Sequence, residues 1–203
     1  EPVVDPADDS RDIPLEVLKV SAGDWQTGYE SSEGPAELAI DNNVNTLWHT
    51  NWQGTSRDNH WFQFELTEDY NVDGLRYQPR QSGNLNGTIT EYDIQVSEDG
   101  ENFFSIDSGN WDADRSWKIA TFPAVHVKYV RMVSLNAESD NSFVFASAAE
   151  IRLTGEVYVD PMPPEMEADD DSRDIPVSVL TATAGDWQTG YEATEGPANL
   201  VLD

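Results

Sequence analysis

One stretch of 32 residues occurs twice in this chain. Residues 10–41 read SRDIPLEVLKVSAGDWQTGYESSEGPAELAID, and residues 172–203 read SRDIPVSVLTATAGDWQTGYEATEGPANLVLD. At an offset of 162, about two thirds of the paired positions are identical. Solenoid repeats have periods of about 20–50 residues, so a period this long means globular domains in tandem. We expect one whole unit and the opening of a second, broken off at Asp203. Residues 156–174, EVYVDPMPPEMEADDDSRD, hold three prolines and eight acids against one arginine. Proline favours extended backbone and like charges repel, so this composition reads as an extended, semi-rigid spacer. The expected organisation is an acidic linker at 1–12, a complete domain at 13–156, a Pro-rich acidic linker at 157–174 and a truncated homologous start at 175–203. About 140 residues bury roughly two thirds of their unfolded surface, which is enough for a core without disulfides.

Charge narrows the partners. Eleven Lys and Arg stand against 39 Asp and Glu, a formal net charge of −28. Nucleic acid and anionic membrane would both be repelled. Aromatic residues make up 10% of the chain, far too many for an acidic disordered segment. No apolar run approaches the ~18 residues of a membrane-spanning helix. Cysteine is absent, which removes disulfide scaffolds, thiol catalysis and Cys-ligated zinc. No GxSxG, HExxH, GxGxxG or P-loop occurs, and the three histidines, His49, His60 and His126, lack metal-ligand spacing.

The pattern is β. Tyr92, Ile94 and Val96 alternate with Glu91, Asp93 and Gln95. Trp61, Phe62, Phe64 and Leu66 form a denser run, expected to be buried on both sides. Residues 72–77, 127–133 and 149–153 are further β-rich runs. Turn signals fall at 98–100, 82–84, 86–87 and 108–110. Many short strands with Gly-rich turns predict a sandwich or a barrel, with binding residues in the loops at one end.

Four constellations could carry chemistry. Residues 41–46, DNNVNT, place oxygen ligands at alternate positions, as a hard cation requires, but depart from an EF-hand loop; a polar turn is the other reading. Trp48-His49-Thr50-Asn51-Trp52 sets a histidine between two indoles, either a sugar site or core tryptophan beside a surface histidine. Arg80 opens a Gly- and Asn-rich loop through Gly87, where a guanidinium can offer paired donors to a vicinal diol or form a surface ion pair. Residues 141–146, NSFVFA, hold Phe143 and Phe145 as either an exposed aromatic platform or the start of a buried strand.

In this order, AIDNNVNTLWHT, LRYQPRQSGNLNGTITEYDIQVSEDG, KYVRMVS and FASAAEIRLTG resemble the F5/8 type C (discoidin) superfamily. More narrowly they resemble the family 32 carbohydrate-binding modules of bacterial glycoside hydrolases and surface proteins. The resemblance implies an all-β fold, an antiparallel jelly-roll β-sandwich of the galactose-binding-domain type. It implies a structural Ca²⁺ beneath the binding loops, held by the carboxylates of Asp41 and Glu150, the carbonyls of Leu38, Asn43 and Ala149, and both oxygens of Thr46. The family more often has Gly at position 42; Asn42 tolerates left-handed backbone. It implies a sugar site of His49, Arg80, Asn86 and an aromatic ring, Phe145 first and Phe143 second. Arg80 and His49 would donate to an axial O4 and Asn86 would offer a donor and an acceptor. Trp25, Tyr29 and Trp52 would line a second subsite. The implied function is a non-catalytic module that recognises terminal galactose or N-acetylgalactosamine, on mucin-type glycans among others. It would be a monomeric unit of a tandem array in a secreted or surface-attached bacterial protein, without membrane insertion. The alternative is a calcium-stabilised adhesion module for a protein or phospholipid ligand.

Overall fold

The computed structural model describes residues 5–53, 56–140 and 143–160. Among these the regular structure is β, with short 3₁₀ turns at Leu15–Val17, Ala36–Ala39 and Arg57–Asn59 and no α-helix. Eleven strands follow in chain order: β1 Leu18–Ala22, β2 Glu33–Gly34, β3 Leu47–His49, β4 Trp61–Leu66, β5 Tyr70–Gln78, β6 Ile89–Ser97, β7 Phe104–Asn110, β8 Lys118–His126, β9 Tyr129–Ala137, β10 Ser147–Ala148 and β11 Glu150–Val157. A five-stranded antiparallel sheet has the order β1-β4-β9-β6-β7, and a three-stranded one has β11-β5-β8. A third, small sheet, β10-β3-β2, sets β10 antiparallel and β2 parallel to β3.

Alternation builds the core. In the five-stranded sheet Phe62, Phe64, Ile94, Val130 and Met132 point inward; from the other sheet come Leu75, Tyr77, Ile151 and Leu153. All lie in one hydrophobic cluster with Trp48, whose ring meets Phe62 edge-on at 5.4 Å. The fold is the expected β-sandwich, with two local departures. Strand β4 is not buried on both sides: Phe62, Phe64 and Leu66 are buried while Trp61 and Gln63 lie on the outer face. There the Arg131 guanidinium sits 4.3 Å from the Trp61 ring and hydrogen-bonds Gln63, which makes an aromatic residue useful outside the core. Ser108-Gly109-Asn110, expected as a turn, continues β7. Gly109 pairs with Tyr92, and a Cβ there would lie 2.8 Å from the Tyr92 hydroxyl, so the glycine clears a ring rather than turning the chain.

The compact unit extends to Val159, and its described N-terminal residues 5–12 pack as part of it rather than as a spacer. Ile13 N–H donates to the Leu153 carbonyl and Gly155 N–H to that of Arg11, so this segment pairs with β11. Asp12 accepts two hydrogen bonds from Arg76, at 2.5 and 2.6 Å, and Arg76 also donates to the Pro6 carbonyl beneath the Trp117 ring. The expected second repeat and most of the spacer lie outside the described residues.

Candidate functional site

The small sheet gathers the expected residues at one end of the sandwich. His49 ends β3 and pairs with Ser147 of β10. Thr50 exchanges bonds with Ala146, its N–H donating to the Ala146 carbonyl and its hydroxyl accepting from Ala146 N–H. The buried Tyr77 hydroxyl donates to the Ser147 carbonyl and accepts from Ile89 N–H, tying β5, β6 and β10 together. The loop 79–88 then folds close over β10. Gly87 has φ 83°, and a Cβ there would lie 2.6 Å from the Ser147 hydroxyl, so neither its backbone nor its space suits another residue.

Glu33, His49, Trp52, Arg80, Asn84, Asn86 and Phe145 line one open cavity of about 360 Å³. Four of the residues expected from the resemblance to bind sugar, with Trp52, therefore meet in one place. Phe143 does not line it: this ring is 48% exposed and stands 6.3 Å from Phe145, which is only 5% exposed. Phe145 packs on His49 at 5.4 Å, so much of its surface is already covered. Trp52, 38% exposed, presents the larger ring to solvent.

The polar groups are fixed by their own bonds. His49 Nδ1 lies 2.6 Å from the Thr50 carbonyl, which can only accept, so Nδ1 carries the proton. Burial holds this imidazole below its ordinary pKa, with the Thr50 bond and Glu33 pulling the other way. The ring is thus neutral at pH 7 and its Nε2 is an acceptor, which corrects the expected donor role. Glu33 accepts from Trp52 Nε1 at 2.9 Å and lies 3.9 Å from His49 Nε2. Arg80 donates from Nε to the Ser82 carbonyl and from Nη1 to that of Asn86, leaving three N–H groups for a ligand. The Asn86 amide donates to Asp140 at 2.7 Å and accepts from Asp140 N–H at 2.9 Å, which leaves it one donor and one acceptor site. Arg115 braces the loop by donating to the carbonyls of Arg80 and Gly83. Glu33, Asn84, Asp140 and Arg115 were missed by sequence reasoning. Only Glu33 left a local signal, since EGPA recurs at 195–198. The resulting cavity mixes acceptors, donors and rings, which suits a polyol with one apolar face.

The loop 38–46 and the start of β11 carry the candidate cation site. Asn42 has φ 62°, the left-handed backbone expected of it. The Thr46 hydroxyl stands 2.7 Å from both the Asp41 carboxylate and the Asn43 carbonyl, with one proton for two acceptors. Glu150 is 2% exposed, and neither carboxylate oxygen makes a hydrogen bond of good geometry, although Arg152 Nη2 lies 2.6 Å from one of them. Burial pushes this carboxyl up, opposed by Arg152. Two carboxylates and neutral oxygens, with the unpartnered buried Oε1 of Glu150 among them, are a donor set that fits a hard cation. Among the described residues no group of three or more His, Cys, Asp or Glu could hold a metal, so any ion here depends on carbonyls and hydroxyls.

The F5/8 type C domain profile matches residues 21–151. The chain belongs to that family. Among solved structures it is similar to a family 32 carbohydrate-binding module of a Clostridium perfringens family 89 glycoside hydrolase, in complex with GalNAc-β-1,3-galactose. The match has a TM-score of 0.61 and 33% identity, over 70% of this chain and 99% of that one. A second, the family 32 module of C. perfringens NanJ in complex with galactose, gives a TM-score of 0.58 and 27% identity, over 70% and 97%. Curated relatives include a galactose oxidase of Gibberella zeae, 33% identical over 150 residues, which are 71% of this chain and 22% of that protein. A sialidase of Micromonospora viridifaciens is 28% identical over 146 residues, 70% of this chain and 22% of that protein. The chain therefore spans about a fifth of the length of these relatives. Its domain is of the family 32 carbohydrate-binding type, carried elsewhere as an accessory unit of glycoside hydrolases.

Proposed function

We propose that this domain binds terminal galactose or N-acetylgalactosamine and serves a larger secreted or surface-attached protein as a targeting unit without catalysis. The observation that carries this reading is the convergence of Arg80, His49, Asn86 and Phe145, with Trp52, on one open cavity. A galacto-configured ring has an axial O4, which leaves one face nearly all C–H. That face packs against Phe145 and Trp52. Arg80 donates to O3 and O4, while the hydroxyl at C4 donates to His49 Nε2. Glu33 accepts from a neighbouring hydroxyl. An equatorial O4 would leave these groups unpaired, at about 1–3 kcal/mol for each lost bond. The two solved modules named above were captured with sugars of this class, which supports the reading.

Asp41, Glu150, Thr46 and the carbonyls of Leu38, Asn43 and Ala149 would hold a Ca²⁺. The ion would neutralise the carboxylates and pin the loop 38–46 to the start of β11. Tandem copies separated by acidic spacers would raise avidity on dense glycans without new contacts. The deciding experiment is calorimetric titration of Arg80→Ala with galactose. Loss of at least tenfold in affinity with an unchanged melting temperature supports the site; retained affinity overturns it.

A further inference from the structure

We infer that Asn86–Gly87 is a spontaneous deamidation site which the fold holds closed through Glu138 and Asp140, so that the cavity stays intact only while the 138–140 segment is in place. The effect on sugar binding rests on the galactoside reading of the cavity; the chemistry at Asn86 does not. Asn86 lines the cavity, and this is the one Asn-Gly step in the sequence. Glycine carries no side chain to shield the backbone nitrogen that follows the asparagine. In the reaction the Gly87 nitrogen attacks Cγ of Asn86. The new N–C bond forms as the Cγ–Nδ2 bond breaks, and Nδ2 leaves as ammonia with the proton that the Gly87 nitrogen gives up. The cyclic imide then adds water at either of its two carbonyls, giving aspartate or isoaspartate at position 86. Water is the only other reagent.

The folded geometry opposes both halves of this reaction. Gly87 is buried, and its N–H donates to the Glu138 carbonyl at 2.8 Å, so the nucleophile is already engaged. Glu138 N–H donates in turn to the Thr88 carbonyl and Ser147 N–H to that of Gly87, both at 2.8 Å, which holds the peptide on either side. The carboxamide is engaged as well. Asn86 Nδ2 donates to Asp140 at 2.7 Å and its Oδ1 accepts from Asp140 N–H at 2.9 Å, so turning Cγ toward the Gly87 nitrogen breaks both bonds. Either product undoes this clamp. Aspartate would set a second carboxylate against that of Asp140, in place of a donor. Isoaspartate would add an atom to the main chain beside Gly87, where even a Cβ would lie 2.6 Å from the Ser147 hydroxyl.

The test is peptide mapping by mass spectrometry of the chain kept in mildly alkaline buffer, folded and in urea, over the same interval. Asn86 should convert at least about tenfold faster in urea, because the folded chain reacts only through local opening. Asp140→Ala should raise the folded rate several-fold at Asn86 and at no other asparagine, and leave the rate in urea unchanged. The converted chain, like Asn86→Asp, should bind galactose about tenfold more weakly in calorimetric titration. Equal rates folded and unfolded, a folded rate indifferent to Asp140→Ala, acceleration spread over many asparagines, or full galactose affinity after conversion would each overturn the proposal. If the unconverted chain binds no galactose, the galactoside reading fails, and the mapping still decides whether the clamp exists.

Discussion

At the scale of single residues, His49 is the group whose chemistry the structure changes most. A histidine between two tryptophans says nothing about which nitrogen holds the proton. The carbonyl of Thr50, 2.6 Å from Nδ1, decides it. Nitrogen-detected NMR of the imidazole should show the Nδ1–H tautomer at pH 7 and titration below the ordinary value of 6.5, because burial disfavours the charged ring. An Nε2–H tautomer would contradict the acceptor role. The linkage has a definite sign. The unfolded chain takes up its proton near pH 6.5 and the folded chain only lower, so this contribution to stability is complete above that pH and declines as pH falls through the folded pKa. Arg80 and Asn86 teach a related lesson. Their residue types were legible, but the donors left over depend on Asp140, Ser82 and the loop carbonyls, which are fixed only once the chain has folded.

At the scale of elements, the N-terminal segment is where composition misleads. Acidic residues with two prolines read as spacer, yet both Asp12 carboxylate oxygens accept from Nη1 of Arg76, which is almost wholly buried under Trp117. Removing one partner of such a pair leaves a buried charge unmatched. Asp12→Ala should therefore lower unfolding free energy by about 2–3 kcal/mol in denaturant titration, and adding Arg76→Met should restore much of it. A single-variant loss below about 0.5 kcal/mol would place Asp12 among ordinary surface charges. Most strands, by contrast, were legible. Tyr92, Ile94 and Val96 alternate because one face of β6 meets the core, and that period survives in the sequence. Ser108-Gly109-Asn110 was misread because a glycine that clears the Tyr92 ring looks locally the same as one that makes a turn. Arg115 and Asp140 join the candidate site through contacts across 35 and 54 positions, a separation no local pattern reports, whereas Glu33, 16 positions from His49, left only the recurrence of EGPA.

At the scale of the whole molecule, the sandwich is a rigid frame and its end loops carry the chemistry. The candidate cation site would join the 38–46 loop to β11, so an ion there would act on the whole frame. Millimolar Ca²⁺ should raise the melting temperature, by the equivalent of about 2.7 kcal/mol at a hundredfold excess over Kd, and a chelator should reverse it. Asp41→Ala should abolish the response; a melting temperature indifferent to calcium would remove the ion from the account. On the proposed reading, a single shallow sugar site of this kind should bind in the high micromolar to millimolar range, about −4 to −5 kcal/mol, and repeated modules would raise avidity on a dense glycan. The central claim is recognition of a galacto-configured sugar, and the most direct measurement is calorimetric titration of the chain, in calcium, with galactose, N-acetylgalactosamine and glucose. Binding of at least one of the first two without binding of glucose is the predicted result. Equal binding of glucose, or no binding of any of the three, would contradict it.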